Sequence, residues 1–312
     1  MSKTLTELYE TLNLNKEQTN AIEDSAFPFK VPSDFLQQIA VNDFNDPLLK
    51  QVLPSKQELT NMPGFTADPV GDLLKNPTPS LIHKYHGRVL LIASPKCDIH
   101  CRYCFRRHFP YEEHSNLRHW QKALDQIAKD KSIHEVILSG GDPMSLNEAA
   151  LLRLIESIEQ IKHIKTLRIH SRTPIVSPSS APQKALLTWS KQSRLNKVLV
   201  VHCNHANELS DKTQSLLELY RVAGFQLLNQ SVLLKDINDT ADRLIELSHK
   251  LFEQGVLPYY LHQLDRVQGA SHFEVDDNKA KALMEEIRSQ LPGYLVPKLV
   301  REIAGEANKT PI

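Results

Sequence analysis

Short apolar runs alternate with longer amphipathic stretches along most of this 312-residue chain. The runs are RVLLIAS (88–94), EVILSGG (135–141), TLRIHS (166–171), KVLVVHCN (197–204), FQLLNQSVLL (225–234) and PYYLHQL (258–264). Helix-like stretches fall near 116–129, 146–161, 181–193, 210–223, 239–254 and 277–290. Apolar strands separated by amphipathic helices predict an α/β fold with a parallel sheet and helical crossovers. Six such units fit a doubly wound sheet or a partial (β/α)6 barrel, and periodicity alone does not separate the two. The polar residues favour the barrel: Cys97, the Gly140-Gly141-Asp142 turn, Ser171-Arg172, His202 to His205, Gln230 and Asp265 all fall at or just beyond strand C-terminal ends. In parallel α/β folds that edge is where ligands bind. Before residue 80 the pattern is different. LTEL (5–8) and FLQQIA (35–40) read as helices, with prolines at 28, 32, 47, 54, 63, 69, 77 and 79 breaking the intervals. The chain therefore divides into a mainly helical accessory region (1–82), a barrel (83–295) and a C-terminal segment (296–312).

Composition narrows the function classes. With 37 basic and 37 acidic residues the formal charge is zero, which removes the electrostatic argument for a nucleic-acid or anionic-membrane partner. No run of about 18 apolar residues suggests a membrane span. The start, MSKTLTELYETLNL, has no apolar signal core, so the expected location is the cytoplasm. Four cysteines in so long a chain make a poor disulfide scaffold. Cys203, on an apolar strand, reads as packing. Cys97, Cys101 and Cys104 instead fall together, as C-x3-C-x2-C in the loop after the first predicted strand.

Three thiolates on one short loop can hold three corners of a [4Fe–4S] cube. Clusters are normally held by four thiolates, so one iron is left open for substrate or cofactor chemistry. Tyr103, before the third cysteine, can shield such a cluster and touch an adenine ring. The competing reading is a structural zinc site completed by His100, His108 or His114. Zinc sites usually pair two ligand clusters, and no second cysteine-rich half is present. Gly140 and Gly141, in a chain with only 10 glycines, let the backbone approach a neighbour closely.

The cysteine loop resembles the radical S-adenosylmethionine (SAM) superfamily. HKYHGRVLLIASPKCDIHCRYCFRR, ILSGGDP, RIHSRTPIV, HCNHANEL, NQSVLLKDIND and PYYLHQLD, in that order, narrow the resemblance to the lysine 2,3-aminomutase family. The short chain and its end, REIAGEANKTPI, look most like the branch that makes (R)-β-lysine for elongation factor P modification. This resemblance implies a [4Fe–4S] cluster on Cys97, Cys101 and Cys104, SAM, and pyridoxal 5′-phosphate (PLP). It places the PLP Schiff base on Lys309, with Lys298 as the alternative, and the PLP phosphate against Lys84, Tyr85 and Arg88, with His202 close to the cofactor. Ser139, Gly140, Gly141, Asp142, Ser171, Arg172 and Gln230, with Tyr103, match SAM-pocket positions. Arg106 matches the holder of the substrate carboxylate; Asp265 and Glu302 match the acids that hold the ε-ammonium of L-lysine. A second carboxylate beside Asp265 would be costly if desolvated, which favours lysine over glutamate. The resemblance further implies an electron donor such as flavodoxin or ferredoxin. It leaves a homo-oligomer open, without the cysteine-rich C-terminal dimerisation segment of the longer clostridial-type members.

Overall fold

The structure, a computed structural model, describes residues 2–15, 21–22, 25–111 and 117–312. In the N-terminal part, β1 (Ser2–Lys3) pairs antiparallel with β2 (Val31–Pro32), and the helices α1 (Leu5–Leu12), α2 (Ser33–Leu36) and α3 (Pro47–Lys50) are short. Its regular elements are mostly helical, and most of the described chain before residue 80 is irregular. The prolines that interrupt it explain why: each removes a backbone donor and fixes φ.

From there the alternating pattern becomes β3 (Leu81–Tyr85), β4 (Arg88–Ser94), α4 (Leu117–Lys129), β5 (Glu135–Gly140), α5 (Glu148–Glu159), β6 (Thr166–Ser171), α6 (Thr173–Val176), α7 (Lys184–Gln192), β7 (Asn196–Val201), α8 (Asp211–Val222), β8 (Phe225–Val232), α9 (Ala241–Glu253), β9 (Leu257–His262), α10 (Asp277–Gln290), β10 (Lys298–Arg301) and β11 (Thr310–Pro311). These strands form one nine-stranded sheet in the order β11-β10-β9-β8-β7-β6-β5-β4-β3. Strands β4 to β10 run parallel, and β3 and β11 pair antiparallel at the two edges. All six predicted strands are present, each ending at or before its predicted limit. Strands β3, β10 and β11 are additions. They are short, and they are polar enough (Lys84, Lys298, Arg301) to lack the apolar signature of the central strands.

The sheet curls far enough to bring its ends together. Lys84 on β3 lies 2.8 Å from Glu302, the residue after β10, although these strands stand almost at opposite ends of the strand order. A partial barrel therefore results, its seam crossed by side chains rather than by a ladder. The predicted segment boundaries do not separate structural units: 82/83 falls inside β3, and the 296–312 segment supplies two strands of the same sheet.

Period-two alternation sorts the side chains. On β6, Leu167, Ile169 and Ser171 are buried while Thr166, Arg168 and His170 on the other face are only partly so. The buried face packs under the helices in one continuous core including Leu91, Leu138, Leu151, Ile155, Leu199 and Leu217. Among the described residues no helix is long and apolar enough to cross a membrane. Ile169 is fully buried in a central strand, and Ile169→Ala should lower stability by about 2–5 kcal/mol, read as a fall in the urea midpoint.

Candidate active site at the mouth of the barrel

The cysteine loop follows β4 and is fixed from three directions. Beneath it, Gly140 has φ +122°, and a Cβ there would lie 2.8 Å from the Ser94 carbonyl oxygen. A Cβ on Gly141 would collide with the Lys96 backbone. The two glycines thus admit the cysteine loop itself, and the Gly141 and Asp142 amides donate to Ser94 and Lys96. On one flank the fully buried Arg102 pairs with Glu58 through Nε (2.8 Å) and Nη2 (2.5 Å), and Arg107 adds a contact of 2.6 Å to the same carboxylate. On the other flank Arg172 donates to Cys101 Sγ (2.7 Å), Gln51 Oε1 (2.7 Å) and Glu208 Oε2 (2.9 Å).

The donor set fits a cluster. Burial pushes the Cys97 thiol well up and the Cys104 thiol to about 11, with repulsion from Cys101 adding to both. Three thiolates this close are stable only beside positive charge, which cluster iron supplies. The zinc reading finds no support in the histidines. The His100 ring bonds the Pro28 carbonyl oxygen (2.8 Å) and His108 the Gln268 carbonyl oxygen (3.3 Å), while His114 lies outside the described residues.

Asp142 is buried and accepts from Ser171 Oγ (2.6 Å) and from the amides of Met144, Arg172 and Thr173 (2.7–2.9 Å). Burial raises its pKa against these hydrogen bonds. It joins the turns after β5 and β6. Tyr103 is buried, and its hydroxyl meets His202 Nε2 (2.9 Å), Asn204 Nδ2 (2.6 Å) and Gln51 Oε1 (3.3 Å), so the ring closes the floor under the cysteines. Burial, then Arg172, pushes His202 well below its usual pKa, leaving a neutral ring. Gln230 lies within β8 and makes no side-chain hydrogen bond to a described residue.

A second group lies across the seam. Lys309 Nζ donates to Glu302 Oε2 (2.7 Å) and stands 5.9 Å from the Tyr260 ring centre. The other Glu302 oxygen accepts from Lys84 (2.8 Å). Lys84 also contacts Asp72 Oδ1 (2.6 Å) and the Val70 carbonyl oxygen (2.8 Å). Asp72 Oδ2 accepts from Arg106 Nε (2.7 Å), and Arg106 Nη1 reaches Ser139 Oγ (3.3 Å). Burial opposes ionisation of both acids, but Arg106 and Lys84 outweigh it at Asp72, and Lys309 and Lys84 at Glu302; both carboxyls are held below the usual range. Arg88 lies over the Tyr85 ring at 4.6 Å, and the Tyr85 hydroxyl faces Glu302. Lys298, the alternative Schiff-base residue, is exposed on β10.

The structure thus gathers Cys97, Cys101, Cys104, Tyr103, Arg172 and His202 on one side and Lys84, Tyr85, Arg106, Glu302 and Lys309 on the other. Lys84 is engaged by two carboxylates and a carbonyl. Sequence reasoning missed Gln51, Glu58, Asp72, Asn204 and Glu208. Asn204 and Glu208 lie inside the HCNHANEL segment, but nothing around Gln51, Glu58 or Asp72 distinguishes them from surface residues.

Residues 86–219 match the 4Fe-4S single cluster domain family, and this span includes all three cysteines of the loop. The L-lysine 2,3-aminomutase of Escherichia coli (strain K12) is 46% identical over 310 residues, spanning 98% of this chain and 90% of that protein. The L-lysine 2,3-aminomutase of Haemophilus influenzae is 44% identical, spanning 97% and 90%. The chain belongs to the L-lysine 2,3-aminomutase family. A longer relative, the L-lysine 2,3-aminomutase of Clostridium subterminale, is 32% identical over 99% of this chain and 75% of its own. The chain is therefore an isomerase of that family that carries a 4Fe-4S single cluster domain.

At Asp265 the attraction of Lys309 and Lys84 does not offset burial and repulsion from Glu302. The Asp265 carboxyl accepts no side-chain hydrogen bond from a described residue; burial, then repulsion from Glu302, raises its pKa to about 7. Native Asp265 keeps its proton to about pH 7, whereas the unfolded chain releases it near 3.8. Stability should therefore fall as pH rises through that interval. Asp265→Asn removes this slope. The gain in urea midpoint over the cofactor-free wild type should widen from about pH 4.5 to about pH 7.5 and then level; a gap that is constant with pH would contradict a neutral buried carboxyl.

Proposed function

We propose that the protein converts L-α-lysine to β-lysine by moving the amino group from C2 to C3, and that the product is (R)-β-lysine destined for elongation factor P. The observation that carries this reading is the position of Lys309. It lies on the Glu302 carboxylate, and its charge is felt by Asp265, His170 and His262, while Lys298 faces solvent. The same chamber contains the kind of group that PLP would satisfy: buried His170 Nε2 has no hydrogen-bond partner among the described residues.

When bound, SAM on the cluster supplies the 5′-deoxyadenosyl radical that removes hydrogen from the β-carbon, and PLP supplies the π-system through which nitrogen migrates. The protein holds and isolates these groups. Cys97, Cys101 and Cys104 would hold the cluster with three thiolates, and Arg172 donates to Cys101 Sγ, a contact of the kind that tunes cluster potential. Lys309 would carry PLP, and Tyr85, Arg88 and His202 would help to hold it. Gly140, Gly141, Ser139, Asp142, Ser171, Arg172, Tyr103 and Gln230 form the SAM side of the chamber. Gly140, Gly141 and Asp142 act there by holding the cysteine loop in place.

Arg106 holds the substrate carboxylate, its guanidinium aimed by Asp72. Asp265 takes the ε-ammonium: an unpaired carboxyl near neutrality becomes fully charged when a cation arrives, and the pair gains strength from burial. Glutamate would instead bring a second carboxylate to Asp265 and Glu302, at a cost of several kcal/mol. The ion pairs across the seam keep water from the radical. A small one-electron carrier of the flavodoxin or ferredoxin kind reduces the cluster.

Anaerobic reconstitution with iron, sulfide and PLP, followed by L-lysine, SAM and dithionite, should yield β-lysine. An intact cluster that forms none would remove this function. Borohydride reduction of the PLP-loaded protein, followed by peptide mapping, should place the pyridoxyl group on Lys309; a label on Lys298 would overturn the assignment.

A further inference from the structure

We infer that Lys84 is a positioning residue that latches the barrel seam and couples the two ends of the substrate site, and that it is not a phosphate ligand. This rests on the PLP reading above for its readout and on the geometry of the seam for its argument. A lysine ammonium has three N–H donors and no acceptor. At Lys84 three partners occupy them: the Val70 carbonyl oxygen at 2.8 Å, Asp72 Oδ1 at 2.6 Å and Glu302 Oε1 at 2.8 Å. No donor remains for a phosphate oxygen. Arginine, with five donors in a fixed fork, could hold one carboxylate and still face a phosphate; lysine at this position cannot.

The partners give the latch its consequence. Asp72 spends its second oxygen on Arg106, and Glu302 spends its second oxygen on Lys309. The result is one alternating chain of charges, Arg106–Asp72–Lys84–Glu302–Lys309, with the carboxylate holder at one end and the PLP lysine at the other. It joins three parts of the fold that no backbone ladder connects: the segment before β3 (Val70, Asp72), β3 itself, and the residues around β10 and β11. Lys84 is the only member touching two acids. Without it, Lys309 is the one cation left on Glu302, beside the Tyr85 hydroxyl, and Arg106 the one cation left on Asp72, so the link between the two acids is lost.

The test uses the PLP-loaded protein without lysine or SAM and reads the pH midpoint of the protonated Schiff-base absorbance at saturating PLP. The titratable groups facing that nitrogen are Glu302 directly and the Tyr260 ring at 5.9 Å, with Asp265, His170 and His262 around it and Lys84 and Tyr85 on the far side of Glu302. Lys84→Met removes the cation that shares Glu302, so the midpoint should rise by about one pH unit. Lys84→Arg should return it toward wild type, and in a Glu302→Gln background Lys84→Met should no longer shift it. An unmoved midpoint, or a shift that survives Glu302→Gln, would overturn the inference. Loss of a phosphate ligand would instead weaken PLP binding by more than about tenfold and leave the midpoint where it was. Should Lys84→Met fail to fold, Lys84→Gln, which keeps two donors, is read by the same criteria. A wild-type protein without any Schiff-base band would overturn the PLP reading; a normal band with an unmoved midpoint overturns only the role of Lys84.

Discussion

A partial barrel has an open seam, and here an ion-pair chain spans it. Seven parallel strands (β4 to β10) and two antiparallel edge strands (β3 and β11) curl until the first and last approach, but backbone pairing does not close the ring. Lys84, Glu302, Asp72, Arg106 and Lys309 cross the gap. Side chains as little exposed as these are strongly coupled, and removing one partner leaves a desolvated charge, so such pairs enforce geometry even where their net stabilisation is small. The same residues that close the fold thereby link Arg106 to Lys309.

A second charged framework holds the cysteine loop. Arg102 and Arg107 share Glu58, while Arg172 is shared by Glu208, Gln51 and Cys101. Glu58 and Gln51 come from the irregular N-terminal segment, so that segment, which has little secondary structure of its own, completes the environment of the loop. Some of its buried polar contacts lie within the segment, as at Asp46, and others reach the barrel, as at Glu58 and Gln51. A loop bearing three thiols needs such support, because mutual repulsion of thiolates would otherwise spread them.

The two frameworks leave one acid out. Glu302 and Asp72 are neutralised by cations already in the protein, whereas Asp265, half-buried, accepts no side-chain hydrogen bond from a described residue. The contrast assigns different tasks to acids of the same chemistry. Those in the latch bind cations of the chain itself, and in the function proposed above the solitary one recognises a cation brought from outside.

The sequence alone determined the α/β class, the six central strands and their helices, and the cysteine loop, because apolar periodicity and close thiol spacing are local signals that packing reinforces. Family segments quoted from the sequence also pointed to Lys309, Arg106 and Asp265, which the folded chain brings to one chamber. Tertiary structure decided the rest. The edge strands β3, β10 and β11 are too short and polar to show in a hydrophobic pattern and exist because neighbouring strands offer them hydrogen bonds. Asp72 lies 34 residues from Arg106, and Glu302 lies 218 from Lys84; no local pattern encodes such pairs. Lys84, which the resemblance placed on a phosphate, is bound to two acids because the curl of the sheet brings them within reach of its only three donors. Ion pairing across a seam depends on where the ends of the sheet meet, and that is a property of the whole fold.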